Sequence, residues 1–197
     1  MLTEGIAKLF CEIGYERTSI RDIAKALGVP NSALYYYFQN KQEMLFAVVD
    51  DLMERTIRNL EENSEALPDG ENKLALIIES HIRFYVENPY AGKVLMRDFN
   101  CLEGGQRDIL KNKELKYINC ARKVIGEIVE RYGSDIDVNV ATFSLFGMLN
   151  WIYHWYDPHG RVSPEHLAGS FLKIILTGLE GKSSRELHGE GSRAMDR

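Results

Sequence analysis

Apolar residues recur along the chain at helical spacing, and no stretch shows the alternation expected of a β-strand. The first helix is predicted over 1–13, where Ile6, Leu9 and Phe10 share one face and Gly14 follows as a left-handed terminator. The same spacing predicts eight further helices, at about 20–27, 31–39, 41–63, 71–87, 90–101, 106–132, 138–156 and 164–180. We therefore expect an all-α fold of about nine helices.

Helices 20–27 and 31–39 are separated by a tight turn, which is the arrangement of a helix-turn-helix. Gly28 permits the turn, and Val29 and Leu34 are expected to fill the angle between the helices. The outward positions of helix 31–39 are polar or aromatic: Asn31, Ser32, Tyr35, Tyr36 and Tyr37. Three consecutive tyrosines cannot all face a core, so DNA contact is favoured over the alternative of core packing.

Charge restricts how the chain can hold nucleic acid. The 197 residues carry 24 Lys and Arg against 29 Asp and Glu, a formal charge of −5, which excludes binding through overall basicity. Residues 17–41 are nevertheless net +3, so the rest of the chain carries −8. A small basic face on an acidic body predicts few phosphate contacts per subunit and a need for a dimer.

The N-terminal motifs resemble the DNA-binding domain of TetR-type transcriptional regulators. The resemblance covers residues 1–48 and rests on GYERTSIRDIA from Gly14, LGV from Leu27, LYYYF from Leu34, and Lys41. It implies a homodimeric, all-helical regulator, usually a repressor, whose C-terminal domain binds a small-molecule inducer. Members often carry serine at the position of Pro30, so Asn31 or Ser32 is expected to cap the recognition helix instead.

The resemblance also implies an organisation and a partner. We expect a helix-turn-helix DNA-binding domain at 1–48, a ligand-binding and dimerisation domain at 49–181, and a flexible tail at 182–197. The implied partner is pseudo-palindromic operator DNA, read by two recognition helices in successive major grooves. The residues implied to contact DNA are Ser19, Arg21, Asn31, Ser32, Tyr35, Tyr36, Tyr37 and Lys41.

The predicted helix at 138–156 is apolar nearly all round, and helix 164–180 is similar. A helix that is hydrophobic on every side is buried on every side, which predicts a second subunit packed against both helices. The alternative is a core formed within one chain. The residues predicted for the dimer interface are Phe143, Leu145, Leu149, Ile152, Phe171, Ile174, Ile175 and Gly178.

Residues 147–158 hold two tryptophans, two tyrosines, a histidine and an asparagine, which suit a pocket for an apolar chain with a polar head. The stretch resembles a TetR subgroup with the pattern GMLNW…WY.P.G..S.E, whose members include regulators of fatty-acid and sterol-ring degradation that sense acyl-CoA thioesters. An arginine often stands there where this chain has His154. The candidate ligand-binding residues are Phe84, Met96, Arg97, Phe99, Phe143, Phe146, Asn150, Trp151, His154 and Trp155.

Two alternatives stay open for these residues. Trp151 and Trp155 also suit core or dimer packing, and Arg97 also suits an ion pair with Asp98. The rival effector is a drug-like molecule in a multidrug-type pocket. A CoA ester requires basic residues at its entry, whereas a pocket for cations requires buried glutamates.

Other classes of protein find little support. The chain has no GxSxG, HExxH, P-loop or GxGxxG motif, so no enzyme is expected. Its histidines do not share a helical face and its three cysteines form no CxxC pair, so we expect no metal or cofactor. A cytoplasmic protein without a membrane partner is predicted because no apolar run is long enough to span. A protein–protein adaptor built on an inactive DNA-binding domain is the other alternative.

Overall fold

The computed structural model describes residues 2–64 and 67–180, and every regular element in that part of the chain is helical. The predicted all-α fold is confirmed. The predicted tail at 182–197 lies outside the described residues. The helices are α1 (Leu2–Ile13), α2 (Ile20–Leu27), α3 (Asn31–Tyr37), α4 (Lys41–Ser64), α5 (Gly70–Glu87), α6 (Pro89–Asp98), α7 (Gly104–Tyr132), α8 (Val138–Trp155) and α9 (Pro164–Glu180), with a 3-10 turn at Phe99–Cys101.

Short polar side chains begin several of these helices. The Asn40 side-chain oxygen accepts the backbone N–H of Glu43 at 2.9 Å, where α4 starts. Asp69 accepts the N–H of Asn72 at 2.8 Å before α5, and Asp137 accepts two backbone N–H groups at 2.8 and 3.0 Å before α8. Each contact satisfies N–H groups that the first helical turn leaves without a partner.

Three expectations about α3 and α6 are wrong. α3 ends at Tyr37 because Phe38 takes an extended conformation, with φ −137° and ψ 125°. Pro30 occupies the N-cap position, and neither Asn31 nor Ser32 caps the helix. The helix predicted at 90–101 ends at Asp98 and tightens into the 3-10 turn.

Two hydrophobic cores hold the described helices together. The first is formed by α1, α2, α3 and the start of α4, and it also includes Val94 of α6 and Leu110 of α7. The second is formed by α5, α7, α8 and α9, with Leu60 from the far end of α4. The boundary predicted between residues 48 and 49 therefore falls inside a helix that contributes to both cores. Helices α4, α6 and α7 connect the cores physically.

Only one side of α8 is buried within the chain, although its sequence is apolar nearly all round. Phe143 is 55% exposed, Trp151 60% and Trp155 54%, and Ile174 on α9 is 57% exposed. Five residues predicted for the dimer interface lie instead in the second core, because they face the chain's own helices: Leu145, Leu149, Ile152, Phe171 and Ile175. These five residues are therefore core residues of this chain and not interface residues. The exposed side of α8 lies on the other side of the helix from Leu145, Leu149 and Ile152.

Candidate DNA-binding surface and ligand cavity

The start of α2 is fixed by a reciprocal pair of hydrogen bonds. The Ser19 hydroxyl accepts the Asp22 backbone N–H at 3.1 Å, and the Asp22 carboxylate accepts the Ser19 N–H at 3.0 Å. The Ser19 hydroxyl also donates to that carboxylate, and these hydrogen bonds lower the pKa of Asp22. Arg21 is exposed in the first turn. Ser19 is therefore both the N-cap of α2 and a solvent-exposed residue.

The turn after α2 sets the position of α3. Gly28 has φ +66°, a left-handed conformation that glycine adopts at little cost. The Val29 N–H then donates to the Ala24 carbonyl at 3.0 Å, which completes the C-terminal cap of α2. Leu34 is fully buried beneath α3. One side of α3 is therefore anchored to the first core.

The other side of α3 is open to solvent. Tyr35, Tyr36 and Tyr37 are 55%, 82% and 65% exposed, and Asn31 and Ser32 are also exposed. Core packing of the tyrosine run, the alternative to DNA contact, is thereby excluded. The rings of Tyr36 and Tyr37 meet edge to face with centroids 4.9 Å apart. Such a surface offers hydroxyl groups and flat apolar faces to a major groove.

Lys41, predicted to contact a phosphate, already has protein partners. Its ammonium group donates to the carbonyls of Tyr15 at 3.0 Å and Glu16 at 3.3 Å. It also lies 4.4 Å from the centroid of the Tyr15 ring. Lys41 therefore fixes the loop between α1 and α2 to the start of α4. A lysine ammonium has three donors, so one stays available to a phosphate.

A cavity of about 490 Å³ lies between α4, α5, α6, α7 and α8, within the usual range of about 300–1,000 Å³ for small-molecule sites. Its walls are mainly apolar and aromatic. Six residues predicted to bind ligand line it: Phe84, Met96, Phe99, Phe143, Phe146 and Asn150. The structure brings these residues together from four separate elements.

The cavity has an exposed side and a buried side. The lining residues Asn100, Glu114 and Phe143 are exposed, and we call them the rim. His81 and Tyr85 are buried, at 8% and 6% exposure, and we call them the floor. Glu114 is the acidic side chain in the lining, and no lysine or arginine of the described residues is part of it. A ligand entering at the rim passes two polar side chains and the Phe143 ring before it reaches the buried floor.

Four residues predicted to bind ligand do not line the cavity: Arg97, Trp151, His154 and Trp155. The two tryptophans and His154 are exposed on α8. Helical periodicity turns the tryptophans away from the face that carries Phe146 and Asn150, whereas His154 follows Asn150 by one turn but does not line the cavity. The Trp151 and His154 rings pack together, with centroids 3.9 Å apart. The prediction that these residues line the ligand cavity is therefore wrong for the cavity within this chain.

Arg97 instead joins α6 to the end of α1. Its guanidinium donates to the carbonyls of Phe10 and of Cys11, the latter at 3.1 Å, both in the last turn of α1. The same group donates to the Asp98 carboxylate at 3.0 and 2.8 Å. The last carbonyls of a helix lack partners within that helix and carry partial negative charge. Arg97 thus ties α6, which lines the cavity, to the N-terminal core.

His81 is a functional candidate that the sequence did not indicate. Burial lowers its pKa to about 3 from an ordinary 6.5, so the ring is neutral near pH 7. Its Nδ1 lies 3.1 Å from the Tyr117 hydroxyl, and burial raises the pKa of that phenol. Its helical neighbour Phe84, three residues on, was predicted to line the pocket. The spacing of His81 and Phe84 could have indicated that His81 also lines the pocket, because residues three apart share a helical face.

Buried neutral His81 predicts acid sensitivity. Between pH 6.5 and about 3, the unfolded chain binds a proton at this position that the folded chain does not. The free energy of unfolding should therefore fall as pH drops, by about 2 kcal/mol between pH 6.5 and 5 from this group. Denaturant titrations of wild type and His81→Phe at equal protein concentration measure the difference. His159→Gln, at an exposed histidine, is the control. Equal pH slopes for wild type and His81→Phe would contradict the prediction.

The described residues contain neither a membrane-spanning helix nor a cluster of metal-ligating side chains. No helix in that part of the chain is both long and apolar enough to cross a membrane. No group of three or more His, Cys, Asp or Glu side chains among residues 2–64 and 67–180 is placed to hold a metal ion.

Comparison with known proteins agrees with this architecture. The chain is 25% identical over 189 residues to the fatty acid metabolism regulator protein of Bacillus subtilis strain 168, covering 92% of this chain and 95% of the relative. It is 25% identical over 182 residues to the HTH-type transcriptional repressor KstR2 of Rhodococcus jostii strain RHA1, covering 90% and 89%. The crystal structure of AibR in complex with isovaleryl coenzyme A and operator DNA superimposes with a TM-score of 0.79 at 25% identity, covering 89% of this chain and 96% of AibR.

Family assignment follows from both halves of the chain. Residues 2–48 match the family described as bacterial regulatory proteins, tetR family. Residues 68–179 match the tetracyclin repressor-like C-terminal domain. Together with the exposed recognition helix α3, these matches show that the chain belongs to the TetR family of DNA-binding transcriptional regulators.

Proposed function

We propose that this regulator is a homodimeric repressor that leaves its operator when an acyl-CoA thioester occupies the cavity. The observation that carries the proposal is the position of α6. This helix lines the apolar cavity with Leu95 and Met96, and through Arg97 it holds the last turn of α1. A ligand that moves α6 therefore acts directly on the DNA-binding part of the chain.

The DNA contacts are assigned to the exposed side of α3 and its surroundings. A pair of recognition helices in a dimer would enter successive major grooves of a pseudo-palindrome. Phosphate contacts orient the protein, and contacts with base edges select the sequence. The proposed contact residues are Ser19, Arg21, Asn31, Ser32, Tyr35, Tyr36, Tyr37 and Lys41.

The proposed dimer surface is the exposed side of α8 together with that of α9. Trp151, Trp155 and Ile174 are each more than half exposed, which leaves a large apolar area in water. Gly178 is exposed four residues after Ile174 and would allow close approach of a partner helix. A twofold axis through this surface would make a four-helix interface from α8 and α9 of both subunits.

Ile174→Asp tests this surface. A carboxylate placed in an apolar interface is desolvated without a partner, so we expect the dimer dissociation constant to rise about tenfold or more. Ile109→Asp is the matched control, since Ile109 is 47% exposed near the start of α7 and is not part of the proposed surface. Sedimentation velocity over a range of concentrations measures both variants. An unchanged monomer–dimer equilibrium in Ile174→Asp would remove α9 from the interface.

An acyl-CoA suits the cavity and its rim. The apolar walls fit an acyl group, and the rim lies beside a basic side chain. Arg107 donates to the Asn100 side-chain oxygen at 3.3 Å, and its buried Nε has no hydrogen-bond partner among the described residues. A phosphate of CoA could satisfy that donor. The similarity to a fatty acid metabolism regulator and to AibR, crystallised with isovaleryl coenzyme A, supports the same class.

The cavity offers less to a cationic drug. A pocket for cations needs a buried carboxylate, but Glu114 lies on the exposed rim. The floor is neutral, because burial keeps His81 uncharged at ordinary pH. The multidrug alternative is therefore the weaker of the two effector hypotheses.

Calorimetric titration of the purified protein tests the effector class. Saturated acyl-CoA thioesters from acetyl to dodecanoyl should bind, with one length class preferred, and free CoA should bind more weakly than any of that class. Arg107→Gln should weaken the thioesters, whereas Lys111→Gln, an exposed control on the same helix, should not. Absence of binding by every thioester would reject the acyl-CoA hypothesis.

A further inference from the structure

The floor of the cavity contains a polar group that the protein leaves unsatisfied. His81 Nδ1 meets the Tyr117 hydroxyl at 3.1 Å, but Nε2 is buried with no hydrogen-bond partner among the described residues. Burying such a group without a partner is unfavourable, and buried polar atoms in folded proteins are nearly always hydrogen-bonded. An unpaired nitrogen in a residue that lines a ligand cavity therefore points to a partner supplied by the ligand.

The surroundings of His81 restrict the chemistry of that partner. The rings of Tyr85, Tyr117, Phe146 and Phe84 lie around the imidazole, with centroids 5.2, 5.9, 6.2 and 6.3 Å away. No charged side chain of the described residues lines this end of the cavity, so a charged ligand group there would lack a counter-ion. The partner must be uncharged, and the atoms next to it must be apolar.

The position of His81 restricts where the partner lies on the ligand. The floor is buried whereas the rim is exposed, and Arg107 beside the rim offers an unpaired donor. An acyl-CoA that keeps its phosphates at the rim reaches the floor with the end of the acyl group furthest from the thioester. A hydroxyl group can donate to Nε2 or accept from it, so it suits either tautomer of the neutral ring.

We propose that His81 recognises a hydroxyl group at the buried end of the effector, so that the preferred ligands are acyl thioesters oxygenated far from the CoA. This inference rests on the proposed function and names the acyl class within it. An oxygenated acyl group pairs with Nε2, whereas a plain saturated acyl group leaves that nitrogen without a partner. The His81–Tyr117 pair thereby discriminates between the two.

Matched ligand pairs test the inference by calorimetry. Each saturated acyl-CoA from butanoyl to dodecanoyl is compared with its terminal-hydroxy counterpart. For the length that reaches the floor, wild type should prefer the hydroxylated ester about tenfold, the usual effect of leaving a buried polar group unpaired. His81→Phe should lose or reverse that preference. His159→Gln, which alters an exposed histidine outside the cavity and keeps His81, should retain it.

The outcomes separate the two proposals. Binding of both members of every pair with equal affinity would overturn the role of His81 and leave the acyl-CoA proposal standing. Failure of every thioester to bind would overturn both. If His81→Phe does not fold, nitrogen-15 NMR of histidine-labelled wild type decides the matter. The His81 Nε2 resonance should shift with the hydroxylated ester and not with the saturated one, and an unchanged resonance would overturn the inference.

Discussion

Replacing Tyr36 by alanine is expected to reduce operator affinity by about 100-fold or more while leaving the melting temperature unchanged. The side chain is 82% exposed and packs only along the surface of α3, so its loss costs the fold little. A hydrogen bond to a charged phosphate contributes about 1.5–3 kcal/mol. A dimer on its operator would lose two copies, about 3–6 kcal/mol, which corresponds to a factor of about 100 or more.

Fluorescence anisotropy with operator DNA measures this loss, and thermal unfolding measures stability. Leu115→Ala is the control, because Leu115 is 54% exposed on α7 and far along the chain from α3. Tyr36→Phe keeps the ring and should lose only the hydroxyl contribution. If Tyr36→Ala unfolds early and the folded fraction binds operator normally, Tyr36 supports the fold and does not contact DNA.

Arg97→Met is expected to remove most of the ligand's effect on operator binding. The guanidinium holds the Phe10 and Cys11 carbonyls of α1 from a helix that lines the cavity. Coupling between two sites typically changes affinity by about 5–150-fold. Without this contact, we expect the ratio of operator affinities with and without acyl-CoA to fall towards one. The variant should also be less stable, because the nearly buried Asp98 carboxylate loses its partner.

Two further variants separate coupling from stability. Arg97→Met combined with Asp98→Asn removes both charges, which should restore part of the stability without restoring the ligand response. Lys93→Met changes an exposed cation on the same helix and should leave both properties unchanged. A full ligand response in Arg97→Met, at whatever melting temperature, would show that α6 acts on the DNA-binding part by another route.

Local patterns in the sequence predicted the fold class and the exposure of the tyrosine run on α3. Apolar spacing and turn glycines such as Gly14 and Gly28 mark several helix boundaries, because both signals act within one or two turns. The exposure of Tyr36 followed from geometry, since three successive positions point in three directions around a helix. In each case the deciding interactions lie within a few residues.

The errors concern interactions between distant segments. Arg97 reaches carbonyls 86 and 87 residues earlier in the chain, and no local pattern records such a partner. α8 has two apolar sides, and periodicity alone does not say which of them packs on the chain's own core, so Leu149 was assigned to a partner subunit. His81 is a buried polar residue of α5, and its role depends on the cavity that residues from four other helices complete.

The account's central claim is that ligand in the cavity controls operator binding. The most direct measurement is the anisotropy of fluorescent DNA from upstream of the protein's own gene, saturated with protein and titrated with acyl-CoA thioesters of graded length. Free CoA and unrelated DNA are the controls. The account predicts release by one class of thioester and not by free CoA. Tight, sequence-specific binding that no thioester relieves would contradict the proposed effector, and equal affinity for unrelated DNA would contradict the proposed operator contacts.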